Sequence, residues 1–165
     1  MIRSAVADDL ADIVRIAAET HMFLGDELQS FAAELQSNLH GDRGDEPHEA
    51  TLRVATTNEA GDSPVVGVIY FAPEVMAQGV MNLLFIAVDP NHRKRGVGRA
   101  LLAHFESSVV ELGARLAIIE TASDPMFAPA WSLYRRAGYE EEARIRDYYD
   151  RGLDKLIFRR AFEAA

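Results

Sequence analysis

The run Val88-Asp89-Pro90-Asn91-His92-Arg93-Lys94-Arg95-Gly96-Val97-Gly98-Arg99-Ala100-Leu101 constrains the fold more than any other segment. An apolar stretch from Leu83 to Val88 stops at Asp89-Pro90, and a basic, glycine-punctuated loop follows. Val97, Leu101, Leu102, Phe105, Val109 and Leu112 then recur at helical spacing. A buried strand therefore feeds a cationic loop and the first turn of an amphipathic helix. The first N–H groups of a helix lack intrahelical partners and lie at the positive end of its dipole. Beside Arg93, Lys94, Arg95 and Arg99 they make a spot suited to a phosphorylated ligand. Gly96 and Gly98 are expected to let the backbone approach the phosphates and to take dihedrals that a Cβ would forbid.

The flanking segments predict the order β-α-α-β-β-β-α-β-α-β-β, a mixed α+β architecture. Ile2 to Val6 reads as a short strand. Leu10, Ile13, Val14 and Ala17 mark a helix, with Asp8 as its cap and Asp9 and Asp12 in the first turn. Leu28, Phe31, Ala32, Leu35 and Leu39 share one face of a second helix ending at Gly41. Gly41 to Ala50 reads as a loop. Leu52, Val54 and Thr56 alternate with polar neighbours, Asn58 to Ser63 forms a turn, and Val65 to Ala72 completes an antiparallel hairpin. Met81 to Val88 is the central strand, the helix after Gly96 closes at Gly113, and Arg115 to Thr121 is a buried strand. Pro129 sits in the first turn of a helix that Gly138 stops, and Tyr139 to Arg146 and Leu153 to Phe162 are the closing strands.

The 165 residues fit one domain, 1–165, large enough to bury a conventional core. Cysteine is absent, so disulfides and thiolate metal sites are excluded and a cytoplasmic location is expected. The five histidines show no metal spacing, and no metal is expected. No apolar run approaches the ~20 residues that span a bilayer, and the N-terminus lacks a signal-peptide core. A net charge of −9 argues against nucleic acid as the main partner. Against that acidic background the basic loop stands out.

Two other phosphate motifs can be compared with the loop. No Gly-x-x-x-x-Gly-Lys-Ser/Thr string exists. A dinucleotide fingerprint starting at Gly96-Val97-Gly98 would put its third small residue at Leu101, and Asp89 to Arg95 intervene between strand and first glycine. Only Glu120, near the distance of a ribose-binding acid, speaks for it.

Taken together, the loop and two later segments resemble the GNAT superfamily of acyl-CoA-dependent N-acetyltransferases. The first match is Ile86-Ala87-Val88-Asp89-Pro90 through Gly96-Val97-Gly98-Arg99-Ala100-Leu101-Leu102. The second is Ala130-Trp131-Ser132-Leu133-Tyr134-Arg135-Arg136-Ala137-Gly138-Tyr139, similar to the family's Ala-x-x-Leu-Tyr-x-x-x-Gly-Phe/Tyr segment. The third, Ala143 to Tyr149 leading into Asp154 to Phe158, is similar to the tail of several members, among them bacterial ribosomal-protein alanine acetyltransferases. The resemblance implies a mostly antiparallel central sheet flanked by helices, and acetyl-CoA as acyl donor to an amine acceptor. It implies that the backbone of Ile86, Ala87 and Val88 pairs with the pantetheine arm. Arg93, Lys94, Arg95, Gly96, Val97, Gly98 and Arg99 would cradle the pyrophosphate. Where members often carry an asparagine, seven residues before the motif tyrosine, this chain has Phe127, so that contact does not transfer.

Acetyl transfer to an amine needs a neutral amine, a stabilised oxyanion and a proton for the departing thiolate. Tyr134 is the candidate donor: a phenol near pKa ~10 stays protonated at neutral pH and can protonate a thiolate whose acid lies near ~8.5. Glu120 ends a strand and resembles, in place, the proposed base of the ribosomal-protein enzymes. Strand backbone N–H groups around Ile86 to Val88 would hold the oxyanion. Tyr148 and Tyr149 either line the acceptor pocket or pack at the sheet edge, and Glu140-Glu141-Glu142 reads as a solvated strand edge. A non-catalytic acyl-CoA sensor on the same fold is the other class of function, and monomer or homodimer the expected state.

Overall fold

The computed structural model describes residues 1–23, 25–40, 50–58 and 63–162. Among them the elements follow the expected order: β1 (Ile2–Ser4), α1 (Leu10–Ala18), α2 (Glu27–His40), β2 (Thr51–Thr56), β3 (Val65–Pro73), β4 (Val80–Val88), α3 (Val97–Glu111), β5 (Leu116–Ala122), α4 (Ala128–Arg136), β6 (Glu140–Asp150) and β7 (Leu153–Ala161). The strands lie in the order β1-β2-β3-β4-β5-β7-β6. Pairs β1–β2, β2–β3, β5–β7 and β6–β7 are antiparallel, whereas β4–β5 is parallel. The mixed, mostly antiparallel α+β class is therefore as expected. The chain groups into two compact units, Met1–Ala72 with Phe85–Phe105, and Pro73–Leu84 with Glu106–Ala165.

In the first unit, the alternating start of β2, one face of the continuously buried β3 and the helical stripes of α1 and α2 converge on one apolar core. Ile13, Ile16, Ala17, Leu35, Leu52, Val54, Val65, Val68, Tyr70, Phe85 and Ala87 form it. Phe31 joins its edge, with ring centroids 4.9 Å from Phe23 and 5.0 Å from Phe85. Tyr70 buries its ring there while its hydroxyl donates to Glu34 Oε1 (2.9 Å) and accepts from Asn38 Nδ2 (2.8 Å). Such a ring needs a partner for its polar end, and α2 supplies two.

The entry to α1 departs from expectation. Ala7–Asp9 is a 3₁₀ turn, and the organising carboxylate is Asp9 rather than Asp8. Asp9 is buried, accepts from the Val6 N–H (2.8 Å) and takes both arms of the Arg3 guanidinium at 2.6 and 2.8 Å. A bidentate pair outbids a simple cap here, because Arg3 on β1 lies within reach. Most of the expected Gly41–Ala50 loop and Asn58–Ser63 turn lies outside the described residues.

In the second unit, β4 pairs with β5 from Val80↔Leu116 to Leu83↔Ile119, where that ladder ends. The β5–β7 ladder runs from Leu116↔Ala161 to Ala122↔Lys155. Pro129 stands in the first turn of α4, as predicted. Ahead of it Pro125–Phe127 makes a 3₁₀ turn that the sequence reading passed over, with Asp124 accepting from the Met126 N–H (2.8 Å). Tyr139, expected to open β6, lies before the strand and donates its N–H to Tyr134 O (3.0 Å). β6 runs on past Arg146 to Asp150 with every residue exposed. No helix among the described residues is long and apolar enough to cross a membrane.

Candidate active site

The loop between β4 and α3 is built on a buried carboxylate. Asp89 Oδ1 accepts from the Asn91 N–H (2.8 Å) and caps a 3₁₀ turn over Pro90–His92. Its Oδ2 takes Arg15 of α1 at 2.6 Å, and its own N–H donates to Val66 O at 2.9 Å. The Arg15 guanidinium, against the opposing effect of burial, holds the Asp89 carboxyl down at about 2. His92 turns Nδ1 toward Asp89 Oδ1 (3.4 Å). The start of the loop is thus pinned to α1 and β3.

Beyond this anchor the backbone turns through Lys94 (φ 59°) and Gly96 (φ 85°). Gly96 takes the left-handed conformation as expected. Gly98 does not: it lies inside α3 and is not among the positive-φ residues, so its expected special dihedral is corrected to an ordinary helical one. The Gly96 carbonyl accepts from the Ala100 N–H at 2.9 Å and opens the helix. Arg93, Lys94, Arg95, Gly96 and Arg99 are exposed, while Val97 and Gly98 are half-buried. Arg93 donates Nε to Val88 O (3.3 Å). Among the described residues none of Arg93, Lys94, Arg95 or Arg99 is ion-paired with a carboxylate.

Gly67 of β3, which the sequence reading did not single out, sets where α3 begins. A Cβ built there would meet Val97 Cγ1 at 2.9 Å, Leu101 Cδ1 at 3.0 Å and Ala87 O at 3.3 Å. A side chain at this position would require Val97 and Leu101 to shift, so glycine lets the helix start rest closely on the sheet. Ala87 is buried and Ile86 and Val88 are half-buried at the end of β4, past the Leu83↔Ile119 end of the β4–β5 ladder.

The candidates for chemistry belong to the second unit. Tyr134 on α4 is buried (4% exposed), its ring 5.6 Å from Phe158 and 6.4 Å from Tyr139. Burial pushes its phenol above the ordinary value, so it stays neutral. Its hydroxyl has no hydrogen-bond partner among the described residues.

Glu120 on β5 leaves 35% of its side chain exposed, and Oε2 accepts from Lys155 Nζ at 2.6 Å. Lys155 is offset by one diagonal step across the β5–β7 ladder, opposite Ala122 on the Glu120 face. Its ammonium also lies 4.0 Å from the Tyr148 ring centroid and 5.9 Å from that of Tyr149, and the two rings meet edge-on at 4.9 Å. Burial opposes the Lys155 charge, but Glu120 and Tyr148 outweigh it and raise its pKa. The sequence reading missed Lys155. The signal was a lone lysine in the otherwise apolar stretch toward Phe158.

Four arginines of this unit are engaged by carboxylates. Arg135 pairs with Glu141 (2.9 Å), Arg144 with Asp154 (3.0 Å), Arg159 with Glu142 (3.7 Å) and Arg160 with Glu106 (2.7 Å). The acidic run Glu140–Glu142 is exposed as predicted, with two of its members in ion pairs. No group of three or more His, Asp or Glu among the described residues is placed to hold a metal ion.

Residues 11–139 match the family model described as the acetyltransferase (GNAT) family. Over 67 residues the chain is 36% identical to the ribosomal protein bS18-alanine N-acetyltransferase of Escherichia coli (strain K12). That match covers 41% of this chain and 44% of that protein, so the chain spans under half the length of the curated relatives it matches. The crystal structure of a GNAT-family protein from Desulfovibrio desulfuricans superposes with a TM-score of 0.83 at 30% identity, covering 98% of each chain. A Salmonella typhimurium protein solved with acetyl-CoA shares the fold, with a TM-score of 0.73 at 20% identity over 100% of this chain and 95% of that one.

Proposed function

Because the chain belongs to the acetyltransferase (GNAT) family, we propose that it moves the acetyl group of acetyl-CoA directly to a primary amine. The observation that carries this reading is the set of unpaired, exposed cations at the opening of α3. Arg135, Arg144, Arg159 and Arg160 of the second unit are matched by carboxylates, whereas Arg93, Lys94, Arg95 and Arg99, clustered at one helix start in the first unit, are left for an anion from outside. With the free N–H groups of the first turn they form a receptor for a pyrophosphate.

The pantetheine arm would pair with the backbone of Ile86, Ala87 and Val88, which lie past the end of the β4–β5 ladder. Their N–H groups would also hold the oxyanion as the amine nitrogen attacks the thioester carbonyl. The C–S bond then breaks, Tyr134 gives its hydroxyl proton to the leaving thiolate, and the remaining proton shed by the acylated nitrogen restores the phenol through water. A neutral phenol without a competing partner suits that donation. Glu120 is the carboxylate we assign to the acceptor's proton. With Oε2 held by Lys155, Oε1 is left to receive it through water. A carboxylate is a poor base for an alkylammonium near ~10.4 but adequate for an α-ammonium near ~8. The mechanism therefore favours a peptide or amino-acid α-amine, in keeping with what the E. coli relative's name says of that protein.

The relatives carry transferase names, which favours transfer over a non-catalytic acyl-CoA-binding role. We place the enzyme in the cytoplasm as a monomer or homodimer, and the net charge of −9 supports amine acceptors over nucleic acid. A thermal-shift titration with acetyl-CoA, followed by thiol release with a panel of amines, tests the reading. At 100 times its dissociation constant a ligand adds about 2.7 kcal/mol of stability. Absence of any shift with acetyl-CoA overturns the proposal.

A further inference from the structure

A carboxylate beside two aromatic rings is a receptor for a cation. In this chain the receptor already holds one. Lys155 Nζ sits 2.6 Å from Glu120 Oε2, 4.0 Å from the Tyr148 ring centroid and 5.9 Å from that of Tyr149. The ammonium stem is buried, with 11% of the side chain exposed, while Tyr148 and Tyr149 remain 52% and 47% exposed. The outer faces of the bracket are open to solvent, and its inner seat is taken.

Stability alone does not explain this arrangement. Removing a charge from water is expensive, and a paired, buried ion seldom outperforms an apolar side chain of the same volume. The seat would accept methionine or leucine without leaving Glu120 stranded, since that carboxylate keeps a third of its surface in water. A retained ammonium changes what the seat can bind. With Lys155 in place the cluster presents no net negative charge, and a second cation meets like charge at close range.

We infer that Lys155 is an acceptor-selecting residue: an internal ammonium that fills the cation seat of Glu120, Tyr148 and Tyr149 and turns away acceptors bearing a second positive charge. Neutral and acidic acceptors are favoured in consequence. The inference rests on the reading of Glu120 as part of the acceptor side. It extends that reading from a reaction to a substrate class: α-amines whose neighbouring groups are uncharged or anionic. Lys155 acts through the charge it places beside Glu120 and is not itself a reacting group.

The test compares wild type, Lys155→Met and Lys155→Arg in two arms. The first follows the Tyr148 and Tyr149 ring resonances while tetramethylammonium is added. Lys155→Met should bind this cation at least about tenfold more tightly than wild type, because no ammonium then competes for the carboxylate and the rings. The second measures kcat/KM for spermidine against an uncharged-side-chain amino-acid amide. Their ratio should move on the order of tenfold toward spermidine in Lys155→Met and return to the wild-type value in Lys155→Arg. A merely structural lysine would lower both acceptors alike and leave the ratio fixed, which overturns the inference. Equal binding of tetramethylammonium by wild type and Lys155→Met, or by neither, also overturns it. Lys155→Gln serves as a second uncharged variant if Lys155→Met melts early. Failure of wild type to acetylate any amine would sink the acetyl-transfer reading, while the tetramethylammonium arm still decides whether the seat is plugged.

Discussion

The loop at the start of α3 and the α4 tyrosine meet opposite physical requirements. The loop is exposed and cationic, and it leaves its charges unmatched. Tyr134 is buried and neutral, packed on Phe158 and Tyr139. An anion-binding site gains from open, mobile cations that shed water only when the ligand arrives. A proton donor must keep its proton until the thiolate forms; a dry surrounding holds the phenol neutral, although it also weakens it as an acid. On the proposed roles, the contrast predicts that binding and chemistry can each be disturbed without the other.

Tyr134→Phe gives the sharpest separation. Removing one hydroxyl from a buried ring should cut turnover about 100-fold, with the acetyl-CoA dissociation constant within about twofold of wild type. Steady-state thiol release and calorimetry read the two numbers. Unchanged turnover would strip Tyr134 of its role. Next in size, Gly67→Val places side-chain atoms where Val97 and Leu101 already stand. Overpacking of this kind costs roughly 1–3 kcal/mol, visible in urea melts, and acetyl-CoA affinity should fall with it as the helix start is pushed away. Affinity unchanged in a folded Gly67→Val protein would show that the position of α3 does not govern the cradle.

A smaller effect comes from charge. Arg95→Glu should weaken acetyl-CoA about tenfold and flatten the dependence of affinity on salt. The same reversal at Arg135, which already pairs with Glu141, should leave acetyl-CoA binding unaltered. Equal losses from both would erase the distinction between unmatched and matched cations. The smallest signal lies in acid. The Asp89 carboxyl is depressed to about 2 in the folded chain, so its contribution to stability is complete above the ordinary carboxylate value near ~3.8. That contribution is lost as pH falls from there through about 2. Asp89→Asn should remove this part of the acid dependence in thermal melts taken across the same interval.

How much of this was legible beforehand depended on the range of the interaction. The strand, loop and helix from Leu83 to Leu112 carry their own signals: an apolar run, Asp-Pro, clustered cations and helical periodicity. The order of all eleven elements followed from such local patterns. What could not be read were contacts between residues distant in the chain. Arg15 and Asp89 are separated by 74 positions, and nothing near either one announces the other. Lys155 meets Glu120 only because β7 lies beside β5 with a particular register. Gly67 looked like any glycine in a strand until α3 was seen resting on it. Asp9 displaced Asp8 for a different reason: its partner Arg3 is only six positions away, but it lies on β1, where a helix-cap pattern does not look. The Gly98 correction is different in kind. Two glycines in a loop motif invite one explanation, yet only Gly96 precedes the first helical turn, and Gly98 is already within it.

The contact between α3 and Gly67 has one further consequence. Attraction between the cradle and a pyrophosphate weakens in brine, because mobile ions compete for the same field. The footing of the helix on bare backbone is steric, and steric contact ignores ionic strength. In concentrated salt, then, the protein should lose its grip on the anion without losing the shape of the hand, and grip should return in full on dilution.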